Sequence, residues 1–460
     1  MRLLQDVIVP YITAPLWLTR EGTASYLREY ESSQFWPAER IRALQTERLK
    51  TLLKFAYSEC DYYREMFRTA GAEPEDIRSL EDLSKLPVLT KDDIRNNFDR
   101  LRPRNLVDDS YFINFTGGST GSPLKFLVSN ERLASRNALA IRHNRWTGWR
   151  HGIPIAYLWG CPQDAPAAGW RQKLRTELLD RGFFLDTFDV DNDSAERFVE
   201  RMMREPEVVV QAYSRSLLWF AQHVEEQGIG RLPIKSIITT AECITAEERA
   251  YIERVLGAST FDRYGCREFS VIASQCGESR DAMHIAAEAI HLEYDALADN
   301  SGDLLVTDLL NYAMPMIRYK IGDVGAPADA NCSCGRGLPT MKVIAGRVTD
   351  FIHTPDDRWL SGVAINTYLV SQIPGVHQAQ IRQDSCDHLR ILLVPRENGK
   401  EAAEQFLATQ IPKMFGSRMR HSLTWVSSIE KEPSGKMRVT ISDCALRHPL
   451  QQRVALRGQS

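Results

Sequence analysis

Short β-rich segments alternate with helical stretches between His151 and Gly265. The β-rich segments are IAYLWG at 155–160, GFFLDTF at 182–188, VVVQAY at 208–213, SIITT at 236–240 and TFDRY at 260–264. One intervening helix is bounded by a capping box, Thr245 with Glu248, and by Gly257. Strands that alternate with helices are typical of βαβ units around a largely parallel sheet. The sequence therefore predicts an α/β fold.

A second group of strands begins near Gly302, with GDLLVTDLL and then MIRYKIG. The glycine-flanked segment AGRVTD at 345–350 indicates a joint before the last ~110 residues, which is the size of a small domain. RILLVP at 390–395 and LTWVSSI at 423–429 predict strands of an α+β domain after the joint. We therefore expect a large N-terminal domain over residues 1–346 and a small C-terminal domain over residues 347–460.

Net charge limits the partners of this chain. Its 460 residues carry 57 Lys plus Arg against 60 Asp plus Glu, a net charge of −3. This balance gives no global positive field that would draw the chain onto nucleic acid or an anionic membrane. We therefore expect small-molecule substrates and no nucleic-acid partner.

The apolar stretch Val7–Leu18 is too short to span a bilayer, and it contains Pro10 and Pro15. We interpret it as a surface flap and not as a signal segment. The expected compartment is then the reducing cytoplasm, with no membrane span. Cysteines outside the set discussed below are expected to be buried thiols, namely Cys60, Cys161, Cys243, Cys386 and Cys444.

The run TGGSTGSP, from Thr116 to Pro123, follows the β-rich segment YFINF. Its glycines allow backbone amides to converge on an anion, and the hydroxyls of Thr116, Ser119 and Thr120 can donate to it. The run is not a Walker A loop, because Gly121 is followed by Ser and not by Lys. It predicts a phosphate-binding loop, with a flexible surface loop as the alternative.

Polar side chains follow the carboxyl ends of predicted strands, where open α/β sheets bind ligands. Tyr264 can present an aromatic face to a purine, and Glu268 can supply the oxygen ligand that Mg²⁺ on a triphosphate prefers. Asp323 follows a glycine after a strand and can accept hydrogen bonds from both hydroxyls of a ribose. Taken alone, Tyr264 fits core packing equally well, and Asp323 fits a turn.

Four soft metal ligands occur in two close pairs, Cys276 with His284 and Cys332 with Cys334. Gly335 permits the turn that a two-thiolate knuckle needs. Three thiolates and one imidazole make a closed tetrahedral zinc set, although their spacing differs from the common zinc-finger patterns. The residues alone leave two alternatives open, a structural zinc site and buried reduced thiols.

Several motifs follow the glycine-rich loop in a fixed order: TTAE at 239–242, YGCRE at 264–268, RYKIGD at 318–323, GRVTD at 346–350 and PSGK at 433–436. In this order they resemble the core motifs of the adenylate-forming superfamily. Specifically, they resemble the phenylacetate-CoA ligase family, including its branch associated with capsular polysaccharide biosynthesis. The segment RLKTLLKFAYSECDYYREMF looks like the leader of that family, so the resemblance covers about residues 40 to 440.

The resemblance implies a large N-terminal adenylation domain, with mostly parallel sheets flanked by helices, and a small mobile C-terminal domain. It implies catalytic roles for Lys436, Glu268 and Thr116, with Glu268 binding Mg²⁺. The implied ATP- and AMP-binding residues are Thr116, Gly117, Gly118, Ser119, Thr120, Gly121, Ala241, Glu242, Tyr264, Gly265, Asp323, Arg347 and Lys436. Relatives usually carry two acidic residues at the hinge, so here either Thr349 or Asp350 is the expected hinge residue. Some relatives carry a comparable cysteine and histidine set, which favours structural zinc.

The implied activity is ATP-dependent activation of a carboxylic acid through an acyl-AMP intermediate, followed by thioester formation with coenzyme A. An aryl or arylalkyl acid is expected, and Trp146, Trp149 and Trp159 either line an aromatic pocket or belong to the core. One alternative is a ligase that passes the acyl group to an amine or alcohol, and another is a zinc-stabilised relative without catalysis. The sequence allows a homodimer, and it identifies neither the acid nor the pathway.

Overall fold

The computed structural model of the chain describes most, but not all, of its 460 residues. The described residues are 22–116, 124–159, 181–187, 190–242, 244–298, 301–328, 332–345, 352–356, 358–360, 362–396, 399–429, 438–442 and 444. Their contacts divide the chain into two compact units. The first unit contains the described residues up to Thr116, Leu124–Gly152 and Phe261–Ala345, and the second contains those of Ile153–Thr260 and those after Gly346.

The first unit begins with helices. They are α1 (Thr23–Ser33), α2 (Ala38–Glu59), α3 (Asp61–Ala70), α4 (Lys91–Asn96) and α5 (Phe98–Leu101), with 3₁₀ turns at Pro74–Asp76 and Glu81–Lys85 between α3 and α4. Helix α4 starts at a capping box, because Thr90 accepts a hydrogen bond from the amide of Asp93 and the Asp93 carboxylate accepts one from the amide of Thr90. Local sequence therefore fixes where this helix begins.

A hairpin and a long helix follow. Strands β1 (Tyr111–Phe115) and β2 (Lys125–Ser129) pair antiparallel, and helix α6 (Asn130–Trp146) starts directly after β2. The hydroxyl of Ser129 accepts a hydrogen bond from the amide of Arg132 and so caps α6. Helix α6 is unusual because it buries charged residues, which become important at the site.

Parallel strands form the part of the second unit before Phe261. The elements are β3 (Ile155–Trp159), β4 (Gly182–Asp186), α7 (Asn192–Met203), β5 (Val208–Tyr213), α8 (Ser214–Glu226), β6 (Ile234–Thr240) and α9 (Ala246–Leu256). The strand order is β6-β5-β3-β4, and each neighbouring pair is parallel. Helix α9 begins at the predicted capping box of Thr245 and Glu248 and ends at Gly257, which has φ 68°. The predicted α/β class is confirmed.

The first unit resumes with antiparallel strands. They are β7 (Thr260–Cys266), β8 (Ser270–Ser274), β9 (Met283–Ile285), β10 (Ile290–Ala298), β11 (Ser301–Asp308), β12 (Tyr319–Pro327) and β13 (Thr340–Ala345), in the order β10-β11-β12-β13-β9-β8-β7. The neighbours all pair antiparallel. The connections β7–β8, β8–β9, β10–β11 and β11–β12 are too short for the crossover that parallel strands need, whereas β9 and β13 meet from distant parts of the chain. The sequence pattern did not anticipate this antiparallel region.

The rest of the second unit is the predicted α+β region. Its elements are β14 (Ile352–His353), β15 (Trp359–Leu360), α10 (Gly362–Tyr368), β16 (Val376–Ser385), β17 (His388–Pro395), α11 (Lys400–Phe415), β18 (Arg420–Trp425) and β19 (Thr440–Ser442), with a 3₁₀ turn at Val370–Gln372. Four strands form a sheet in the order β18-β17-β16-β19. Ile381, Ile391, Leu407 and Phe415 are fully buried in its core. The expected small domain with its own sheet is confirmed, whereas the boundary between residues 346 and 347 stays a prediction.

Within the described ranges, none of the helices combines the length and the apolar character that crossing a membrane requires. The apolar stretch Val7–Leu18 lies outside the described residues.

Candidate functional site

The turn between β7 and β8 carries the YGCRE motif. A Cβ atom on Gly265 would lie 2.0 Å from the backbone oxygen of Ser270, and the pairing register shifts between Tyr264 and Gly265. A side chain at Gly265 would therefore force the two strands apart. The close approach of the strands fixes the positions of Tyr264 and Glu268 on either side of the glycine.

Tyr264 and Asp323 meet, although 59 residues of chain separate them. The Tyr264 hydroxyl donates a hydrogen bond of 2.9 Å to Oδ2 of Asp323. Asp323 lies on β12 directly after Gly322, whose φ of 94° is in the left-handed region. The structure thus brings together the residue expected at the purine and the residue expected at the ribose.

Glu268 is held by a buried phenol. The Tyr319 hydroxyl donates a hydrogen bond of 3.0 Å to Oε1 of Glu268, and the exposed fractions of these residues are 0% and 6%. Because a buried carboxylate without a partner is costly, this bond fixes both the position and the orientation of Glu268. No role for Tyr319 was inferred from the sequence.

Arg136 holds the backbone of the same turn. Its guanidinium donates to the carbonyl of Arg267 at 3.3 Å and to the carbonyl of Glu268. Burial lowers the pKa of Arg136 to about 10, with the neighbouring Arg132 acting in the same direction. Arg132 is itself neutralised by an ion pair of 2.8 Å with Asp308. Burial also raises the pKa of the Cys266 thiol well above its ordinary value, so this residue stays a neutral packing group.

The two arginines were missed by the sequence analysis. A detectable signal was present, because Arg132 and Arg136 are four residues apart and share one face of α6. That signal was ambiguous, since arginines at this spacing are also typical of a solvated helix surface. Their burial became evident only from the strands that pack on α6.

Thr116 and Leu124, the residues on either side of the glycine-rich loop, are joined by two hydrogen bonds. The Thr116 hydroxyl accepts a hydrogen bond of 2.9 Å from the amide of Leu124, and the Thr116 amide donates to the Leu124 carbonyl at 3.0 Å. The predicted loop residues Gly117, Gly118, Ser119, Thr120 and Gly121 lie outside the described residues, as do Arg347, Thr349, Asp350 and Lys436. Their expected roles stay predictions.

Ala241 and Glu242 follow β6 in the second unit. Ala241 has φ 71°, which is unusual for a residue with a side chain and marks a strained turn. The Glu242 carboxylate accepts a hydrogen bond of 3.2 Å from the amide of Arg215, and its carbonyl accepts one of 2.7 Å from the Ser214 hydroxyl. Glu242 therefore stabilises the start of α8, where negative charge is favourable.

The four soft ligands come together in the first unit. The Sγ atoms of Cys276, Cys332 and Cys334 and a ring nitrogen of His284 all lie within 4.8 Å of one another. Cys276 Sγ is 3.4 Å from Cys332 Sγ, and Cys334 Sγ is 3.3 Å from Nε2 of His284. Ligands around a tetrahedral zinc ion lie roughly 3.5 to 3.8 Å apart, so the donor set fits zinc.

The protonation chemistry of His284 and Cys334 also fits a metal, whereas burial raises the pKa of the Cys332 thiol to about 12. Burial lowers the pKa of His284, and its Nδ1 lies 3.4 Å from the Leu338 carbonyl, so a neutral ring can present Nε2 as a ligand. Burial opposes ionisation of Cys334, but donors from Arg336 outweigh it and lower the pKa of this thiol. A thiolate and a neutral imidazole are the forms that bind zinc.

Residues around the cluster anchor it to the N-terminal helices. Oε1 of Gln34 accepts hydrogen bonds from Nε1 of Trp146 at 2.8 Å and from Nε of Arg336 at 3.0 Å. The Trp146 ring lies edge-on to His284, with 5.7 Å between ring centroids. Trp146 therefore packs against the cysteine and histidine cluster. Trp159 instead packs on Tyr213 in the second unit, with 4.3 Å between ring centroids.

Known proteins resemble both parts of the chain. The family model described as the CapK C-terminal domain matches residues 352–443. A phenylacetate-coenzyme A ligase from Thermus thermophilus is 26% identical over 336 residues, which are 69% of this chain and 72% of that protein. A phenylacetate-coenzyme A ligase from Escherichia coli is 28% identical over 327 residues, with coverages of 68% and 72%. Protein CapK from Staphylococcus aureus is 20% identical and spans 94% of this chain and 98% of its own.

Solved structures show the same fold. A 2-hydroxyisobutyryl-CoA ligase in complex with 2-HIB-AMP and CoA superposes with a TM-score of 0.62 at 22% identity, covering 92% of this chain and 94% of that chain. Its complex in the postadenylation state gives a TM-score of 0.58 at 21% identity. The resemblance inferred from the ordered motifs is confirmed, as is the expectation of an enzyme of the acid-CoA ligase or related adenylate-forming class.

Proposed function

We propose that this chain, a homologue of the phenylacetate-CoA ligases and of CapK, activates a carboxylic acid with ATP through an acyl-AMP intermediate. It then transfers the acyl group to coenzyme A. The observation that carries the proposal is the pair of hydrogen bonds that joins the YGCRE and RYKIGD motifs, Tyr264 to Asp323 and Tyr319 to Glu268. These bonds bring together the residues that the family's motifs assign to nucleotide and magnesium.

The proposed role of each site residue follows from its chemistry. Asp323 accepts the ribose hydroxyls, and the Tyr264 ring covers the purine. Glu268 would hold the magnesium ion, which neutralises charge on the phosphates. Amides and hydroxyls of the glycine-rich loop cradle the phosphates, Arg347 contacts the ribose or a phosphate, and Lys436 meets the charge that develops between carboxylate and α-phosphate.

Activation explains why such an enzyme uses ATP. A free carboxylate is a poor electrophile because oxide would have to leave. In an acyl adenylate the leaving group is a stabilised phosphate anion, so a thiolate can displace AMP. The protein mainly positions the reactants and stabilises charge.

An aryl or arylalkyl acid is the proposed substrate. Four relatives are phenylacetate-coenzyme A ligases, and the strands of the second unit carry paired aromatic rings. Tyr157 stacks on Phe184 at 4.6 Å, and Trp159 packs on Tyr213 at 4.3 Å. Trp159 and Tyr213 lie at the carboxyl ends of β3 and β5, and aromatic side chains at such positions suit a flat, apolar acyl group.

The four-residue cysteine and histidine cluster is proposed to hold a structural zinc ion. All four ligand positions are filled by protein atoms, so no position remains for a substrate. The thiolates require a reducing compartment, and the cytoplasm is the proposed location. A homodimer stays a prediction.

Exchange of labelled pyrophosphate into ATP tests the first half-reaction. A panel of aryl, arylalkyl and short alkyl acids is compared at saturating ATP, and acid-dependent exchange is expected to be fastest with one of the aromatic acids. The Asp323→Ala variant should raise the ATP concentration needed for half-maximal exchange, with Asp295→Ala, an exposed position on β10 in the first unit, as the matched control. Absence of exchange with every acid would favour the non-catalytic alternative.

The acceptor is tested separately. AMP release is measured with the best acid in the presence of coenzyme A, a primary amine or an alcohol. Coenzyme A should accelerate release, with a thioester as the product. Acceleration by the amine or alcohol alone would keep the adenylation half and overturn the proposed acceptor.

A further inference from the structure

Two cysteines that are distant in sequence lie at the same end of the C-terminal sheet. Strands β16 and β19 pair parallel, and Gln383 lies opposite Ser442 at the end of this pairing. Cys386 follows in the turn between β16 and β17, and Cys444 follows two residues after β19. Because of this register, Cys386 and Cys444 both lie just beyond the adjacent ends of β16 and β19.

A buried amide reinforces this register. The side chain of Gln383 is fully buried, and its Oε1 accepts hydrogen bonds from the Ser442 hydroxyl at 2.7 Å and from the His353 amide at 3.1 Å. The Nε2 atom of Gln383 donates to the carbonyl of Cys386 at 3.5 Å. The same side chain thus fixes the end of β19 and the turn that carries Cys386.

The two sulfur atoms are closer than an ordinary contact. Sγ of Cys386 lies 2.7 Å from Sγ of Cys444, whereas two thiols in van der Waals contact are well over 3 Å apart and a bonded pair is at about 2.05 Å. Cys444 is buried, and Cys386 is half-buried and so accessible to a small reagent. An oxidant that removes two electrons and two protons from this pair would need to bring the sulfur atoms only slightly closer to bond them.

The pair differs from the proposed zinc cluster. Among the described residues, the set of His, Cys, Asp and Glu side chains close enough to share a metal is Cys276, His284, Cys332 and Cys334. A pair of thiols supplies two ligands, whereas a closed zinc site needs four. Their chemistry is instead that of a dithiol.

We propose that Cys386 and Cys444 are a redox modification site that forms an intramolecular disulfide by exchange with oxidised glutathione. The Cys386 thiolate attacks one sulfur of glutathione disulfide, and glutathione thiolate leaves. The Cys444 thiolate then attacks the Cys386 sulfur of the mixed disulfide, and a second glutathione thiolate leaves. The two cysteines lose two electrons and two protons, and glutathione disulfide is reduced to two glutathione molecules.

The bond would close a loop of chain between two residues that are 58 positions apart in the sequence. This loop contains β17, α11, β18, β19 and, in sequence, Lys436. A cross-link of this length stabilises a fold because it restricts the unfolded chain. Formation of the disulfide does not depend on the proposed catalytic function.

Disulfide mapping tests the site in the full chain. Protein is equilibrated with a series of ratios of oxidised to reduced glutathione, quenched with acid, alkylated and digested without reductant for mass spectrometry. A linked peptide pair containing Cys386 and Cys444 should appear and should disappear on reduction. Persistent glutathione adducts or free thiols at both positions, or pairing with other cysteines, would overturn the proposal.

The melting temperatures of variants before and after oxidation test the proposal in a second way. Oxidation should raise the melting temperature of the wild type by several degrees, and equally that of Ser385→Ala, which keeps both thiols in the same turn. It should leave the melting temperature of Cys386→Ser unchanged. An equal rise in Cys386→Ser would assign the stabilisation to other cysteines and contradict the proposal.

Discussion

Tyr264 donates a hydrogen bond to Asp323, and the same two motifs exchange a second bond in the reverse sense, from Tyr319 to Glu268. Each motif contains a tyrosine followed four residues later by an acid. The tyrosine of one motif therefore binds the acid of the other. Both proposed ligand-binding carboxylates are positioned by this exchange, so loss of one bond should disturb the site selectively.

Tyr319→Phe should lower the free energy of unfolding by about 1 to 3 kcal/mol, because it leaves the buried Glu268 without its phenolic donor. It should also raise the Mg²⁺ concentration needed for half-maximal pyrophosphate exchange. Urea unfolding and Mg²⁺ titration measure the two effects. Tyr264→Phe is the matched control, since its half-buried partner Asp323 can bind water instead. A larger stability loss in Tyr264→Phe would contradict this argument.

Lys436→Ala should reduce acid-dependent pyrophosphate exchange by roughly 10²- to 10³-fold, the range expected for loss of a transition-state charge contact. The fold should remain intact, as checked by circular dichroism. Lys431→Ala, in the same KEPSGK segment, is the matched control and should keep its activity. Exchange by Lys436→Ala within a few-fold of wild type would remove this lysine from the proposed mechanism.

Cys332→Ser should lower zinc content and melting temperature together, because it removes one of four ligands that join the β8–β9 connection and β9 to the β12–β13 connection. The wild type should contain about one zinc per chain by elemental analysis, since the four donors fill one tetrahedral site. Cys60→Ala removes a buried thiol elsewhere and should leave the zinc content unchanged. Wild-type protein prepared without chelators and found free of zinc would refute the metal assignment.

The sequence predicted those parts of the site that local motifs encode. Tyr264, Glu268 and Asp323 were each selected for their chemistry next to a glycine or a strand end. Tyr319 and Arg136 were missed because their partners are 51 and 132 residues away, and such pairings depend on strand order. No local pattern distinguishes a buried donor to Glu268 from a core tyrosine.

The fold, like the site, was predicted where local sequence patterns encode it and missed where tertiary packing decides it. Alternation of strands and helices predicted the parallel region from Ile155 to Leu256, because each crossover leaves a local pattern. The antiparallel region after Phe261 was not anticipated, since strands joined by short turns lack that pattern and their order follows from tertiary packing. The cysteine and histidine ligands were found from residue type alone, and only the structure brings the four atoms within bonding reach of one ion.

The buried environment of His143 predicts how the free energy of unfolding depends on pH. Nε of Arg263 donates to Nδ1 of His143 at 2.8 Å, so Nδ1 must be unprotonated and Nε2 must donate to the Gln275 carbonyl, which lies at 3.0 Å. Burial, followed by the charges of Arg263 and Arg142, lowers the pKa of His143 well below its ordinary value. The folded state therefore keeps this ring neutral where the unfolded chain binds a proton.

The sign of the effect follows from this difference. As pH falls below about 6.5, the unfolded state gains a proton that the folded state does not, so stability decreases by up to about 1.4 kcal/mol per pH unit for this group. His143→Gln should flatten the decrease in unfolding free energy between pH 7 and pH 5, measured by urea unfolding at each pH. His377→Gln, at an exposed position, should retain the wild-type slope. Equal slopes in wild type and His143→Gln would show that other buried groups dominate the acid sensitivity.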